Sequence, residues 1–162
     1  MNMKTCGIIT EYNPFHQGHI YHIKKTKELT QCDCLIAIVS NHFTQRGLFS
    51  LLTMQDKTKL ALEAGCNLVI ELPPCYAAQS ADYFAKYAVE SLSQLHIDQI
   101  CFGSETNNIS TLKEYSKQME STQVVPSLSM NQNLYTKNIR PNDILGIQYI
   151  KQCEKCGITP CT

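Results

Sequence analysis

The chain has 162 residues, 43% of them hydrophobic and 17% charged, which suits one globular domain and excludes a large multidomain enzyme. Its 14 basic and 14 acidic side chains cancel overall but not locally, since residues 1–60 carry +3 (seven against four) and residues 61–162 carry −3 (seven against ten), so the first third favours anions. No apolar run approaches the roughly 20 residues that span a bilayer, and Met1 to Gly7 leads straight into a strand-like segment rather than a signal-peptide core, so the cytoplasm is the expected compartment.

Lys4 to Thr10 is short and apolar and is bounded by the turn-prone Asn13-Pro14, after which Ile20, Ile23 and the stem of Lys27 recur at helical spacing. Lys24, Lys25 and Lys27 read as solvated helix surface. Cys34 to Val39 is a continuous run of the kind buried on both faces of a parallel sheet, followed by a polar loop, Ser40 to Leu52. Thr53-Met54-Gln55-Asp56 resembles a capping box with Asp in place of Glu, and Leu60, Ala61 and Ala64 continue that helix to a stop at Gly65.

Asn67 to Leu72 predicts a third strand, ended by Pro73-Pro74. Ser80 is placed to cap a helix whose stripe is Phe84, Ala85, Ala88, Leu92 and Leu95, and Ile97 to Phe102 predicts strand four. Thr111 to Met119 reads as helix, Ser121 to Asn138 as loop, and a final helix runs from near Asn142 to Gly157. Alternating strands and helices, with strands too apolar to be half exposed, predict a three-layer, Rossmann-like α/β domain around a parallel sheet, with ligands at the strand carboxyl ends.

Nine cysteines are an odd number, and without an export signal they read as reduced thiols. Cys153, Cys156 and Cys161 approach zinc-knuckle spacing but lack the fourth ligand of a structural site, and Cys32-Asp33-Cys34 is a weaker signal still, so no dedicated metal cluster is expected.

The stretch richest in chemistry is Gly7-Ile8-Ile9-Thr10-Glu11-Tyr12-Asn13-Pro14-Phe15-His16-Gln17-Gly18-His19-Ile20. His16 and His19, three apart at the start of a helix, share one face, where unpaired N–H groups and the positive dipole end favour anions. Gly18 lets a ligand approach the backbone closely. In-line attack on the α-phosphate of a nucleoside triphosphate piles negative charge on phosphoryl oxygens, and donors fixed there in advance lower the barrier. Arg46, in the loop after strand two, suits bidentate contact with a phosphate or a carboxylate. Asp56 and Lys57 are read either as ordinary electrostatics of an exposed helix start or as substrate contacts. Glu105 is read as accepting from a ribose hydroxyl or helping to hold magnesium.

The element Phe15-His16-Gln17-Gly18-His19 resembles the HxGH signature of the nucleotidyltransferase superfamily related to class I aminoacyl-tRNA synthetases. The wider pattern resembles one narrower family, that of tRNA(Met) cytidine acetate ligases. It comprises Glu11 to His16, Ser40 with Phe43-Thr44-Gln45-Arg46-Gly47, Asp56-Lys57, Asn67 to Pro73, Gln79-Ser80-Ala81 and Phe102-Gly103-Ser104-Glu105. The resemblance implies an enzyme that uses ATP to activate acetate as acetyl-adenylate and then acetylates N4 of the wobble cytidine of elongator methionine tRNA. It also implies that His16 and His19 are catalytic and that Gly7 to Ile20, Gly103 and Asn142 bind ATP. Mg2+ is expected to arrive with the triphosphate, held mainly by phosphate oxygens.

Asn41-His42 and Leu48-Phe49 stand where the family usually has Gly-Asn and Glu-Pro. Family members are longer, with further nucleotide-contacting segments and a tRNA-associated domain, so residues 1–162 are expected to form one nucleotidyltransferase-like domain shortened at its C-terminus relative to them. Two alternatives stay open: a transferase of adenylyl or cytidylyl groups to a small metabolite, and a non-catalytic module that binds nucleotide or RNA.

Overall fold

A computed structural model describes residues 3–120 and 139–162. Three apolar runs form adjacent parallel strands, β1 (Thr5–Thr10), β2 (Cys34–Ser40) and β3 (Leu68–Leu72), joined by helices α1 (Gln17–Thr30) and α2 (Met54–Glu63). The chain then passes through α3 (Pro74–Ala77) and α4 (Ala81–Ser93) and returns on the far side of β1 as β4 (Gln99–Cys101). Helices α5 (Ile109–Glu120) and α6 (Pro141–Cys156) precede β5 (Thr159–Cys161), and the five strands lie in the order β3-β2-β1-β4-β5, every pair parallel.

Side-chain alternation along the strands builds two cores. Cys6, Ile8, Leu35, Ala37 and Val39 face α1 and α2 through Ile23 and Ala61. Ile9, Ile36, Ile38 and Ile100 face α4, α5 and α6 through Phe84, Leu92, Leu112 and Ile147. The expected three-layer Rossmann-like α/β architecture is therefore present. Close approach is bought with small residues: a Cβ at Gly7 would meet Leu92 Cδ1 at 2.8 Å, and one at Gly146 would meet Phe102 Cε2 at 2.8 Å.

Several expectations need correction. β3 is half exposed rather than buried on both faces, with Leu68 43% accessible and Glu71 exposed, because it is an edge strand paired only with β2. Pro73-Pro74 does more than end that strand, since Pro74 opens the short α3. Ser80 occupies the N-cap position of α4, but its hydroxyl donates to Asp82 Oδ1 at 2.5 Å instead of capping the backbone. Leu95 lies past the end of α4 and is exposed, and Val89 completes the buried stripe. The final helix starts at Pro141 with Arg140 as N-cap, which moves Asn142 into the first turn. β5, with Pro160 at its centre, was not expected at all. The loop expected over 121–138 lies outside the described residues. No helix among the described residues is long and apolar enough to cross a membrane.

Candidate active site

The order of strands reverses between β1 and β4, and the loops leaving their carboxyl ends diverge there to leave a crevice, the usual ligand position in such sheets. Helices α1 and α6 both run back from this edge, so their N-termini border it.

His16 is the N-cap of α1 in extended backbone conformation, and its Nδ1 accepts from the Gly18 N–H at 3.1 Å. His19, at the third helical position, reaches back so that its Nδ1 accepts from the His16 N–H at 3.2 Å. The result is a capping box made of two imidazoles, satisfying two of the backbone donors that a helix start leaves free. With both Nδ1 atoms accepting, each neutral ring carries its proton on Nε2, on the side away from the helix backbone. The rings stack with centroids 3.9 Å apart and an interplanar angle of 28°.

Burial, then the neighbouring His16 and His22, push the His19 imidazole down to about 4. Two positive rings at this separation would repel by roughly 4 kcal/mol at an effective dielectric of about 20, so the two are not charged together. Tyr12, fully buried at φ 49°, meets His19 edge-on at 4.9 Å, and Phe15 packs against both. A Cβ on Gly18 would lie 2.8 Å from His16 Cε1, so the glycine is required by the capping ring itself.

The remaining residues of the 7–20 segment divide by position. Gly7, Ile8 and Ile9 are buried within β1 and carry the loop from beneath. Glu11 and Asn13 fasten the loop that follows β2: Glu11 Oε1 accepts from the Gln45 N–H at 2.5 Å, Asn13 Nδ2 donates to Phe49 O at 3.2 Å, and Asn13 Oδ1 accepts from the Leu51 N–H at 2.6 Å. The Asn13–Pro14 peptide is cis. The loop is a narrow hairpin closed by a Phe43–Phe49 bridge, with Leu48, Phe49 and Leu51 exposed, so it is less polar than expected. Arg46 is exposed at its tip beside Gly47 and joins neither of the ion pairs found among the described residues.

Lys57 departs most from expectation. It is 1% exposed, and its ammonium donates to Ser40 O at 2.7 Å and Asn41 O at 3.2 Å, at the carboxyl end of β2. Burial pushes it below the usual lysine range, with Glu11 pulling the other way. A buried side chain spent on backbone carbonyls is neither a surface charge nor a ready contact for a bulky substrate. Asp56 does belong to the helix start, its N–H donating to Thr53 Oγ1 at 3.2 Å and its carboxylate accepting from that hydroxyl at 2.7 Å.

Across the crevice, the loop after β4 is pinned to α6 by two reciprocal carboxylates. Glu105 Oε2 accepts from the Asp143 N–H at 3.0 Å, and its Oε1 accepts from Asn142 Nδ2 at 3.0 Å and, more weakly, from the Asn142 N–H at 3.4 Å. Asp143, 2% exposed, accepts in return from the Thr106 N–H at 2.9 Å and the Thr106 hydroxyl at 2.7 Å. Ser104 Oγ pairs with Thr162 Oγ1 at 2.8 Å and accepts from the Asn107 N–H. Gly103 is exposed at the head of this loop, with open space where a Cβ would stand. Glu105 therefore caps a helix from outside, and Asn142 is not the helix N-cap. Sequence reasoning missed Gln45, Thr106 and Asp143; an acid in the first turn of α6 was the only local signal.

All nine cysteines are free thiols, and among the described residues no group of three or more His, Cys, Asp or Glu side chains could hold a metal ion.

The chain combines a parallel sheet with a histidine-capped helix start at its switch point, and the sequence profile of the HIGH Nucleotidyl Transferase family matches residues 3–161. The chain belongs to that family. The tRNA(Met) cytidine acetate ligase of Geobacillus sp. (strain WCH70) is 40% identical to it over 182 residues, covering 99% of this chain and 45% of that protein. That of Clostridium novyi (strain NT) is 41% identical, covering 97% and 46%. The chain thus spans less than half the length of these curated relatives. Among solved structures, Thermotoga maritima TmcAL bound with alpha-thio ATP superposes with a TM-score of 0.87 at 31% identity, over 99% of this chain and 46% of that one.

Proposed function

We propose that the chain binds Mg2+-ATP and activates acetate as acetyl-adenylate, the first half of a tRNA(Met) cytidine acetate ligase reaction. The observation that carries this reading is the stacked pair His16 and His19, whose Nδ1 atoms are committed to the start of α1 and whose Nε2–H donors are left for phosphate. An acetate oxygen attacks the α-phosphorus, the bond to the bridging oxygen of the β-phosphate breaks, and pyrophosphate leaves with that electron pair. Charge grows on the phosphoryl oxygens during this step, and two preset donors backed by the amide of Gln17 stabilise it where the charge develops. On this reading exposed Gly103 and Asn142 serve the nucleoside, and exposed Arg46 serves an anionic substrate. Magnesium carried on the triphosphate would neutralise part of its charge.

In the second half-reaction the N4 amine of the wobble cytidine of elongator methionine tRNA attacks the acetyl carbonyl, AMP leaves, and a proton is lost from the amine. The similarity to named ligases and to a relative solved with an ATP analogue supports this reading of substrate and cofactor. The experiment is to incubate the chain with ATP, Mg2+, labelled acetate and methionine tRNA. Pyrophosphate release that depends on acetate supports activation, and label on cytidine supports transfer. ATP loss that ignores acetate contradicts the proposal. Release driven by a phosphorylated metabolite instead of acetate moves the chain to the small-metabolite class.

A further inference from the structure

We infer that Glu105 is a positioning residue that fixes which atom of Asn142 meets the nucleotide, presenting the carboxamide oxygen to a hydrogen-bond donor on the nucleoside. The inference rests on the nucleotide reading above and goes beyond it by assigning a device for selectivity.

A carboxamide is nearly symmetric in shape but opposite in chemistry at its two ends, one donor and one acceptor. Asn142 is exposed in the first turn of α6, at the crevice edge, and its Nδ2 lies 3.0 Å from Glu105 Oε1. The turned-over amide would set oxygen against oxygen. Both Glu105 oxygens already accept from N–H groups, since Oε2 takes the Asp143 N–H, so neither offers a hydrogen to an amide oxygen. Glu105 itself is held by the loop whose next residue, Thr106, is clasped by Asp143 through two bonds of 2.9 and 2.7 Å. Asn142 Oδ1 has no partner among the described residues and is the group left to face a ligand.

The same carboxylate settles which end of the nucleotide comes here. At α1 the helix start is capped by imidazoles, which carry no negative charge, and still attracts anions; at α6 the amides of Asn142 and Asp143 are already consumed by a carboxylate. A triphosphate is repelled from the second and drawn to the first. The nucleoside is left for α6, and the groups on it that an amide oxygen accepts from are the 6-amino group of adenine and the ribose hydroxyls.

The test is calorimetric titration of the chain with the Mg2+ complexes of ATP, of ITP, which has an oxygen in place of the 6-amino group, and of 2′-deoxy-ATP and 3′-deoxy-ATP. The unaltered chain is expected to bind one of the three analogues about tenfold more weakly than ATP, the loss for one donor facing a fixed acceptor, and the affected analogue identifies the donor. Glu105→Gln offers both a donor and an acceptor to Asn142, lets its amide turn over, and is expected to bring that ratio to within about twofold. Should Glu105→Gln fail to fold by circular dichroism, Asn142→Ala decides instead, with the same loss of discrimination expected. Unchanged ratios in the folded variants overturn the inference while leaving the nucleotide reading intact, as does an unaltered chain that binds ATP and all three analogues alike. An unaltered chain that binds no ATP overturns both.

Discussion

Two helix starts border the same crevice and are finished in opposite ways. α1 caps itself, with His16 and His19 exchanging bonds within three residues, so its dipole stays open to an anion and two ring N–H groups are added to it. α6 has no side-chain cap of its own and is closed from the neighbouring loop by Glu105, so its amides are used and its end carries negative charge. On the proposed function, the contrast gives the crevice a polarity, phosphates at one end and nucleoside at the other.

Removing a ring at the open end is expected to have the largest effect. His19→Ala deletes one transition-state donor and half of the capping box, and acetate-dependent pyrophosphate release should fall about a hundredfold or more. A fall of less than about fivefold in a folded variant would mean that the His19 ring is not a transition-state donor.

At the closed end, Asp143→Ala frees the Thr106 N–H and hydroxyl and detaches the β4 loop from α6. Urea denaturation should show a loss of about 1–3 kcal/mol, the cost of partly buried donors left without their acceptor. No loss would mean that the clasp does not hold the two elements together.

Gly18→Ala sharpens the account of α1, because the added methyl lies within 2.8 Å of His16 Cε1 and must displace the capping ring. About a tenfold loss of activity is expected, without the loss of a donor group, since a misplaced donor is a weaker one. An alanine variant with full activity would show that the ring position is not critical.

The smallest expected effect is on stability against pH. The His19 ring titrates near 4 in the folded chain against 6.5 unfolded, so below 6.5 the unfolded chain takes up a proton that the folded chain does not. Its contribution is complete above pH 6.5 and drains away as pH falls toward 4, with His22, also pushed down by burial, acting in the same direction. The melting temperature should decline from pH 7 to pH 5, and His19→Ala should flatten part of that slope. Parallel slopes would mean that the ring is not held neutral.

The self-capped start was legible in the sequence because all of its parts lie within four positions, and the spacing of His16, Gly18 and His19 already sets ring, gap and ring on one face. The β1 and β2 runs and the α4 stripe were legible for the same reason, as period and apolarity are local. The capping contacts of Glu105 were not legible because its partners are 37 and 38 residues away, and the burial of Lys57 was not because the carbonyls it binds are 16 and 17 residues away. No local pattern separates a capping carboxylate from a ligand, or a buried lysine from a surface one. β5 escaped notice because three residues centred on a proline carry no strand signal, and only pairing with β4 makes them one.

Long-range proton–nitrogen correlation spectra of the histidine rings at pH 7 show directly whether the two imidazoles offer Nε2–H to a triphosphate. Nε2–H tautomers are expected for His16 and His19, with both sets of resonances shifting on addition of Mg2+-ATP. A proton on Nδ1 of either ring, or two rings unmoved while nucleotide binds, would contradict that arrangement.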